Sequence, residues 1–411
     1  MLEIILEDDV ATKRRLSKKI FDAAYEHGIY SASINEFYMA RGRGEFSGFT
    51  VPAINLRSMT YDLARAIFRV AIKNDSGAFV FEIARSEIGY TKQPPIEFSS
   101  MVMAAAIKEG YSGPIFIQGD HFQVNAAKFK ENPHVETETL QALIWDAVNS
   151  GFFNIDIDSS TTVDLSKPNL KEQQLLNYEV CAKLTQFMRS FEPKGTTISV
   201  GGEIGEIGHQ NSTPEDLHVF MDGLKDKLSK DLVGISKISV QTGTTHGGIV
   251  LPDGSIAQIS LDFNTLKTLS EIARKEYGLA GAVQHGASTL PPEAFHKFVE
   301  CETAEVHLAT EFQNMIYESK HFPADLKQKI YATLKVNAAN EAKQGETEDQ
   351  FLYKTRKKGL GLFKKEIIKL PQETRDAIAG EVEVKFDFLF KQLNVVGKRE
   401  LLSKYVHPSS K

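Results

Sequence analysis

The chain predicts an α/β fold, a TIM (β/α)8 barrel followed by a C-terminal helical extension. Three observations predict it. Short β-rich segments alternate with helix-like segments that carry apolar residues at three- and four-residue spacing. The strands number about eight, which closes such a barrel. The polar and titratable residues cluster just after the strands, where a closed parallel barrel exposes its chemistry.

In chain order, a basic amphipathic stretch at Thr12 to His27 precedes strands expected near Tyr30–Ile34, Ala78–Ala84, Pro114–Ile117, Phe153–Ile157, Thr197–Gly202, Lys237–Gln241, Gly281–Gln284 and Glu305–Leu308. Glycine, asparagine or aspartate bounds each of them. The helices between fall at Tyr61–Lys73, Glu97–Lys108, Val135–Ser150, Leu170–Ser190, Pro214–Leu228, Leu261–Glu276 and Pro292–Glu300. After a helix opening at Thr310 the alternation stops. From Pro323 onward the chain is rich in Lys and Glu and reads as helices packed on the barrel or on a neighbouring subunit. The expected division is therefore a barrel over residues 1–320 and an extension over residues 321–411.

Composition narrows the function. The chain has 411 residues, 42% of them hydrophobic, with 48 basic against 54 acidic side chains and a net charge of −6. A field of that sign does not draw in nucleic acid or an anionic membrane, so neither is an expected partner, and any phosphate site must be local. No apolar run reaches the ~20 residues of a membrane span, and the N-terminal MLEIILEDDV is acidic where a signal peptide is basic. A cytoplasmic protein is expected. Cys181 and Cys301 form no CxxC pair, which leaves His, Asp and Glu as the side chains able to hold a metal.

His121, His246 and His285 each follow a different strand, the arrangement of an open catalytic zinc site. Asp120 adjoins the first of them and is placed to pass a proton to a substrate oxygen; the structural alternatives are a helix cap or a partner that orients His121. Glu203 and Asp158 read either as oxygen ligands to an additional metal position or as solvated rim carboxylates. Gly286-Ala287-Ser288 and Ala309-Thr310, with Gly247-Gly248, read as backbone built for phosphate, although glycines after strands are also ordinary turn residues. Arg57, Arg85 and Arg356 are candidates for a second phosphate, each with a salt bridge as the competing role.

The strings GPIFIQGDHFQ, GFFNIDIDSS, VGGEIGEIG, VQTGTTHGG, VQHGASTLPPE and VHLATEF occur in this order. In order and spacing the chain resembles the class II, zinc-dependent fructose-bisphosphate and tagatose-bisphosphate aldolases from about Ser31 to Phe312. The resemblance implies a lyase of carbohydrate metabolism, with a role in glycolysis. It would cleave a phosphorylated ketose to dihydroxyacetone phosphate and an aldehyde through a zinc-stabilised enediolate. It implies zinc on His121, His246 and His285, Asp120 as proton donor, and a second divalent position at Glu203 and Asp158. A ketose-phosphate site follows at Gly247, Gly248, Gly286, Ala287, Ser288, His307, Ala309 and Thr310, with Asn35 and Ser86 nearby. A monovalent cation beside Gly248 and a homo-oligomer, dimer or tetramer, are also implied.

Two departures from that pattern stand out. The acidic mobile loop of relatives is missing after the fifth strand, which leaves Glu206 as the substitute base. His307 stands where relatives carry asparagine, so the chain could serve another ketose phosphate, or be a silent aldolase-like subunit that stabilises a partner. A zinc hydrolase on the same fold is disfavoured by the absence of an HxH pair at the first strand.

Overall fold

The computed structural model describes residues 2–205, 210–243 and 261–408. Nine strands are found among them: β1 Ile29–Ala32, β2 Val51–Asn55, β3 Val80–Ala84, β4 Gly113–Gln123, β5 Asn154–Asp158, β6 Ser199–Glu203, β7 Lys237–Val240, β8 Ala282–Gln284 and β9 Glu305–Leu308. Eight of these, β2 to β9, pair in parallel in chain order, and β9 returns to β2 to close the ring. Helices at Thr60–Lys73, Pro95–Glu109, Pro133–Asn149, Leu175–Arg189, Pro214–Lys227, Phe263–Lys275 and Phe295–Glu300 supply the crossovers, as parallel pairing requires. Strands such as Val51–Asn55 and Val80–Ala84 are buried at every position, the pattern of a parallel sheet covered on both faces.

One expected strand is reassigned. The segment near Tyr30 is a strand, but β1 pairs only with the first half of β4, from Gly113 to Phe116, and stands outside the ring. The first ring strand is β2, which sequence periodicity passes over because Pro52 sits inside it and Pro lacks a ladder donor. Pro52 lies opposite Val306 of β9, and the neighbouring Val51 N–H donates to the Ala304 carbonyl.

The extension continues the barrel's core. Helix Gln372–Gln392 lies on helix Thr60–Lys73, with Arg65 to Asp376 at 2.9 Å and Arg69 to Glu383 at 2.6 Å along the seam. Beneath these pairs Phe386 meets Phe312 and Phe390 meets Phe79, with ring centroids 4.8 and 5.4 Å apart. Helix Glu348–Leu362 packs on helix Arg85–Thr91, which leads away from the end of β3. This contact brings the extension to the edge of the barrel mouth. Among the described residues no helix is long and apolar enough to cross a membrane.

Candidate active site

A cleft of about 600 Å³ opens at the carboxyl ends of the strands. Its lining includes Asp120, His121, His285, His307, Ser86, Gly286, Ser288, Ala309 and Thr310. The location is the one where barrels of this type carry their chemistry.

Asp120 and His121 are sequential, and in a regular strand they would point to opposite faces. The β4–β5 register breaks between Gly119 and Phe122, and His121 takes the left-handed φ of +39°. This bulge re-aims the second residue. It needs glycine at 119, where a Cβ would come within 2.5 Å of the Phe122 ring. His121 and His285 then face each other with ring centroids 4.1 Å apart, and Asp120, His121 and His285 offer ligand atoms within 4.8 Å of one another. His121, Asp158 and Glu203 make a second such group. The donors, imidazole and carboxylate, are those a zinc ion takes.

Asp158 and Glu203 are 2% and 5% exposed, so the solvated-rim alternative for both is overturned. Asp158 Oδ2 lies 3.0 Å from His121 Nδ1 and also accepts from Gln123 Nε2, while its Oδ1 accepts from the Ser160 hydroxyl. Burial pushes the Asp158 pKa up, but the bonds from His121, Ser160 and Gln123 outweigh it and hold it below the usual value. For His121 burial opposes the charged ring, yet Asp120, Asp158 and Glu203 together raise its pKa well above the ordinary histidine value.

Gly286 (φ +69°), Ser288, Ala309 and Thr310 also line the cleft, where helix Thr310–Glu318 begins. The Ser288 hydroxyl accepts from the Glu311 N–H at 3.2 Å. Helix start and glycine turn thus lie side by side on the cleft wall, and helix N-termini carry backbone N–H groups without intrahelical partners. Ala287 is fully buried behind the turn and does not line the cleft.

Several expectations need correction or fall elsewhere. Asn35 follows the outer strand β1 and begins helix Asn35–Gly42, away from the cleft. The asparagine at the end of the first ring strand is Asn55, whose Nδ2 donates to Glu87 at 2.6 Å. Arg356 is turned from the cleft toward Glu318 and Asn314, and its neighbour Lys357 lines the cleft instead. Arg57 and Arg85 do line it, each already paired, with Glu87 and Glu136. Glu206, His246, Gly247 and Gly248 lie outside the described residues.

Glu82, Asp156, Lys237 and Glu305 were not singled out by the sequence reading, yet they surround His307 or lie just below it. The available signal was strand alternation: Asp156 stands two before Asp158, and Glu305 two before His307, on the same inward faces.

The family model described as "Fructose-bisphosphate aldolase class-II" matches residues 43–387. Comparison with curated protein sequences gives no match. Among solved structures, the chain is similar to a probable tagatose 6 phosphate kinase from Sinorhizobium meliloti 1021, at 15% identity and TM-score 0.54, over 86% of this chain and 93% of that one. It is also similar to the YdjI aldolase from Escherichia coli K12, at 14% identity and TM-score 0.50, over 90% and 99%. Fructose-bisphosphate aldolase from Campylobacter jejuni gives 17% identity and TM-score 0.50, over 90% and 97%. At these identities the likeness to solved structures is one of fold.

Proposed function

The chain belongs to the class II fructose-bisphosphate aldolase family, and on that premise we propose that it reversibly cleaves a phosphorylated ketose to dihydroxyacetone phosphate and an aldehyde with zinc bound at the barrel mouth. The observation that carries this reading is the convergence of His121, His285 and Asp120 on one cleft whose wall also carries the Gly286 turn and the start of helix Thr310–Glu318. His121 and His285 would hold the metal, with His246 as the third imidazole. Asp158 and Glu203 would serve a second divalent position. A divalent zinc ion bound there supplies Lewis acidity toward the ketose carbonyl.

The remaining steps belong to the chain's own side chains. Asp120, 6% exposed, faces the cleft within 4 Å of His121 and His285. It would take the hydroxyl proton as the carbon–carbon bond breaks and return it in the synthetic direction. Gly286, Ser288, Ala309 and Thr310 would hold the ketose-side phosphate, and Ser86 in the same cleft would meet the aldehyde half. Lys357, for which no carboxylate stands within ion-pair distance among the described residues, would meet the second phosphate with help from Arg57. The cleft's neutralisation of a bisphosphate is then local, as the net charge of −6 requires. Cytoplasmic location and a homo-oligomeric state belong to the same proposal.

Metal-replete protein incubated with fructose 1,6-bisphosphate, tagatose 1,6-bisphosphate and related ketose phosphates should release triose phosphate from at least one of them. No release from any, with metal bound, would overturn the proposal and favour a silent subunit.

A further inference from the structure

The interior of a parallel barrel is ordinarily filled by layers of branched apolar side chains. Here the layer at the base of the cleft is ionic. Asp156 on β5, Lys237 on β7, Glu305 on β9 and Glu82 on β3 are all buried, with Lys237 at 1% and Glu82 and Glu305 at 0% exposed. Lys237 Nζ reaches Glu305 Oε1 at 2.5 Å, Asp156 at 3.1 Å and the Gln118 side-chain oxygen at 2.7 Å. Gln118 Nε2 in turn donates to Glu305 at 2.8 Å and to Glu82 at 3.0 Å, and the Tyr38 hydroxyl donates to the other Glu305 oxygen. Space for the ammonium is made by Gly201 of β6. A Cβ at that position would come 2.2 Å from Asp156 Oδ1 and 3.1 Å from Lys237 Cε.

The network does not stop at Lys237. The same Glu305 oxygen lies 2.7 Å from His307 Nε2, and His307 Nδ1 lies 3.0 Å from Glu82 and 3.2 Å from Asp120. The His307 ring also stacks obliquely on His285, with centroids 4.0 Å apart. Stability alone does not call for such a layer, since well-packed apolar replacements of buried ion pairs are often neutral or stabilising. What the layer does is fix the position of groups in the cleft.

We infer that Lys237 is a positioning residue for the reaction: an internal cation that, through Glu305, holds His307 against Asp120 at the base of the cleft. This rests on the proposed aldol cleavage with Asp120 moving the proton. Without the ammonium, Glu305 keeps its bonds from Gln118 and Tyr38 but loses its counter-charge, its pull on His307 grows, and the imidazole is drawn off Asp120. A displacement of about 1 Å at a reacting group costs up to about a hundredfold in rate.

The test compares metal-loaded wild type with Lys237→Met and with the charge-balanced pair Lys237→Met/Glu305→Gln, which keeps the experiment open if the single variant does not fold. Bound metal, steady-state cleavage of the ketose phosphate that wild type turns over, and 15N NMR of the histidine rings in metal-free protein are measured. The expected result is full metal content, KM within about twofold, and kcat lower by about tenfold or more in both variants, with the His307 ring signals moved. Wild-type kcat in either variant, or His307 signals unchanged in the pair, would overturn the inference. If wild type itself cleaves no ketose phosphate, the functional proposal fails, while the NMR comparison still decides whether Lys237 sets the place of His307.

Discussion

At the barrel mouth, His121 and His285 stand among Asp120, Asp158 and Glu203; at the base of the same cleft, His307 stands among Glu82, Asp156 and Glu305. Both layers offer imidazoles and carboxylates at metal-ligand spacing. The difference is Lys237, whose ammonium bonds Asp156 and Glu305 in the floor, whereas the side-chain partners of Asp158 at the mouth are His121, Gln123 and Ser160. Lys237 compensates the carboxylates it bonds in the floor, and at the mouth the proposed divalent ion would add to the charge that compensates Asp158 and Glu203.

The strongest way to break this comparison is to remove a mouth imidazole. His121→Ala and His285→Ala should each lower divalent metal affinity by more than the 10- to 100-fold that outer-shell changes cost, measured by metal titration, and abolish cleavage with it. The same titration carried out from pH 8 to pH 6 should show binding weakening as pH falls. Asp120, Asp158 and Glu203 raise the pKa of the metal-free His121 ring well above the ordinary histidine value against the cost of burial, so protons compete with a metal for that ring. Binding unaffected by either change would place the metal elsewhere.

Next in size is the floor. Lys237→Met should destabilise the fold by about 3–5 kcal/mol in urea unfolding, because it leaves buried carboxylates uncompensated, and adding Glu305→Gln should return part of that loss. Equal destabilisation by the single and double variants would mean that the two charges are not coupled.

Glu82 gives a smaller, pH-dependent effect. Burial and the neighbouring Asp120 charge push its pKa up to about 8 from 4.5. A carboxyl whose folded pKa is raised contributes stability below the unfolded value that is lost as pH rises through the folded one. Glu82→Gln should therefore lie close to wild type near pH 5 and melt a few degrees higher near pH 9. A variant less stable than wild type at pH 9 would contradict the assignment.

The smallest effect is expected at the cleft edge. Lys357→Ala should raise KM for a ketose bisphosphate about tenfold and leave kcat, and KM for a ketose monophosphate, nearly unchanged. An equal rise for both substrates would remove Lys357 from the second phosphate.

Much of this was legible in the chain. The seven crossover helices and most ring strands follow from periodicity, since one face of each must be apolar to pack. The mouth residues Asp120, His121, His285, Ser288 and Thr310 could be found because chemistry collects after parallel strands. Three things were not legible. Pro52 hid β2, so Asn35 was taken for the residue that Asn55 supplies at the ring. The extension's basic residue at the cleft is Lys357, because helix Glu348–Leu362 turns Arg356 toward Glu318. Lys237, at the start of a strand, looked like a boundary residue.

By itself the sequence determined the alternation, the closed parallel ring and the set of donors at its mouth, because hydrophobic period and strand-end chemistry are local properties of the chain. Only the tertiary structure decided which donors share a layer and which of them already have a cation. Glu82, Asp156, Lys237, Glu305 and His307 come from four strands as far apart as residues 82 and 307, and ring closure sets the distances between those strands. Electrostatic energy in a buried layer depends on those distances and on what else is excluded from it, and neither is written in any one strand.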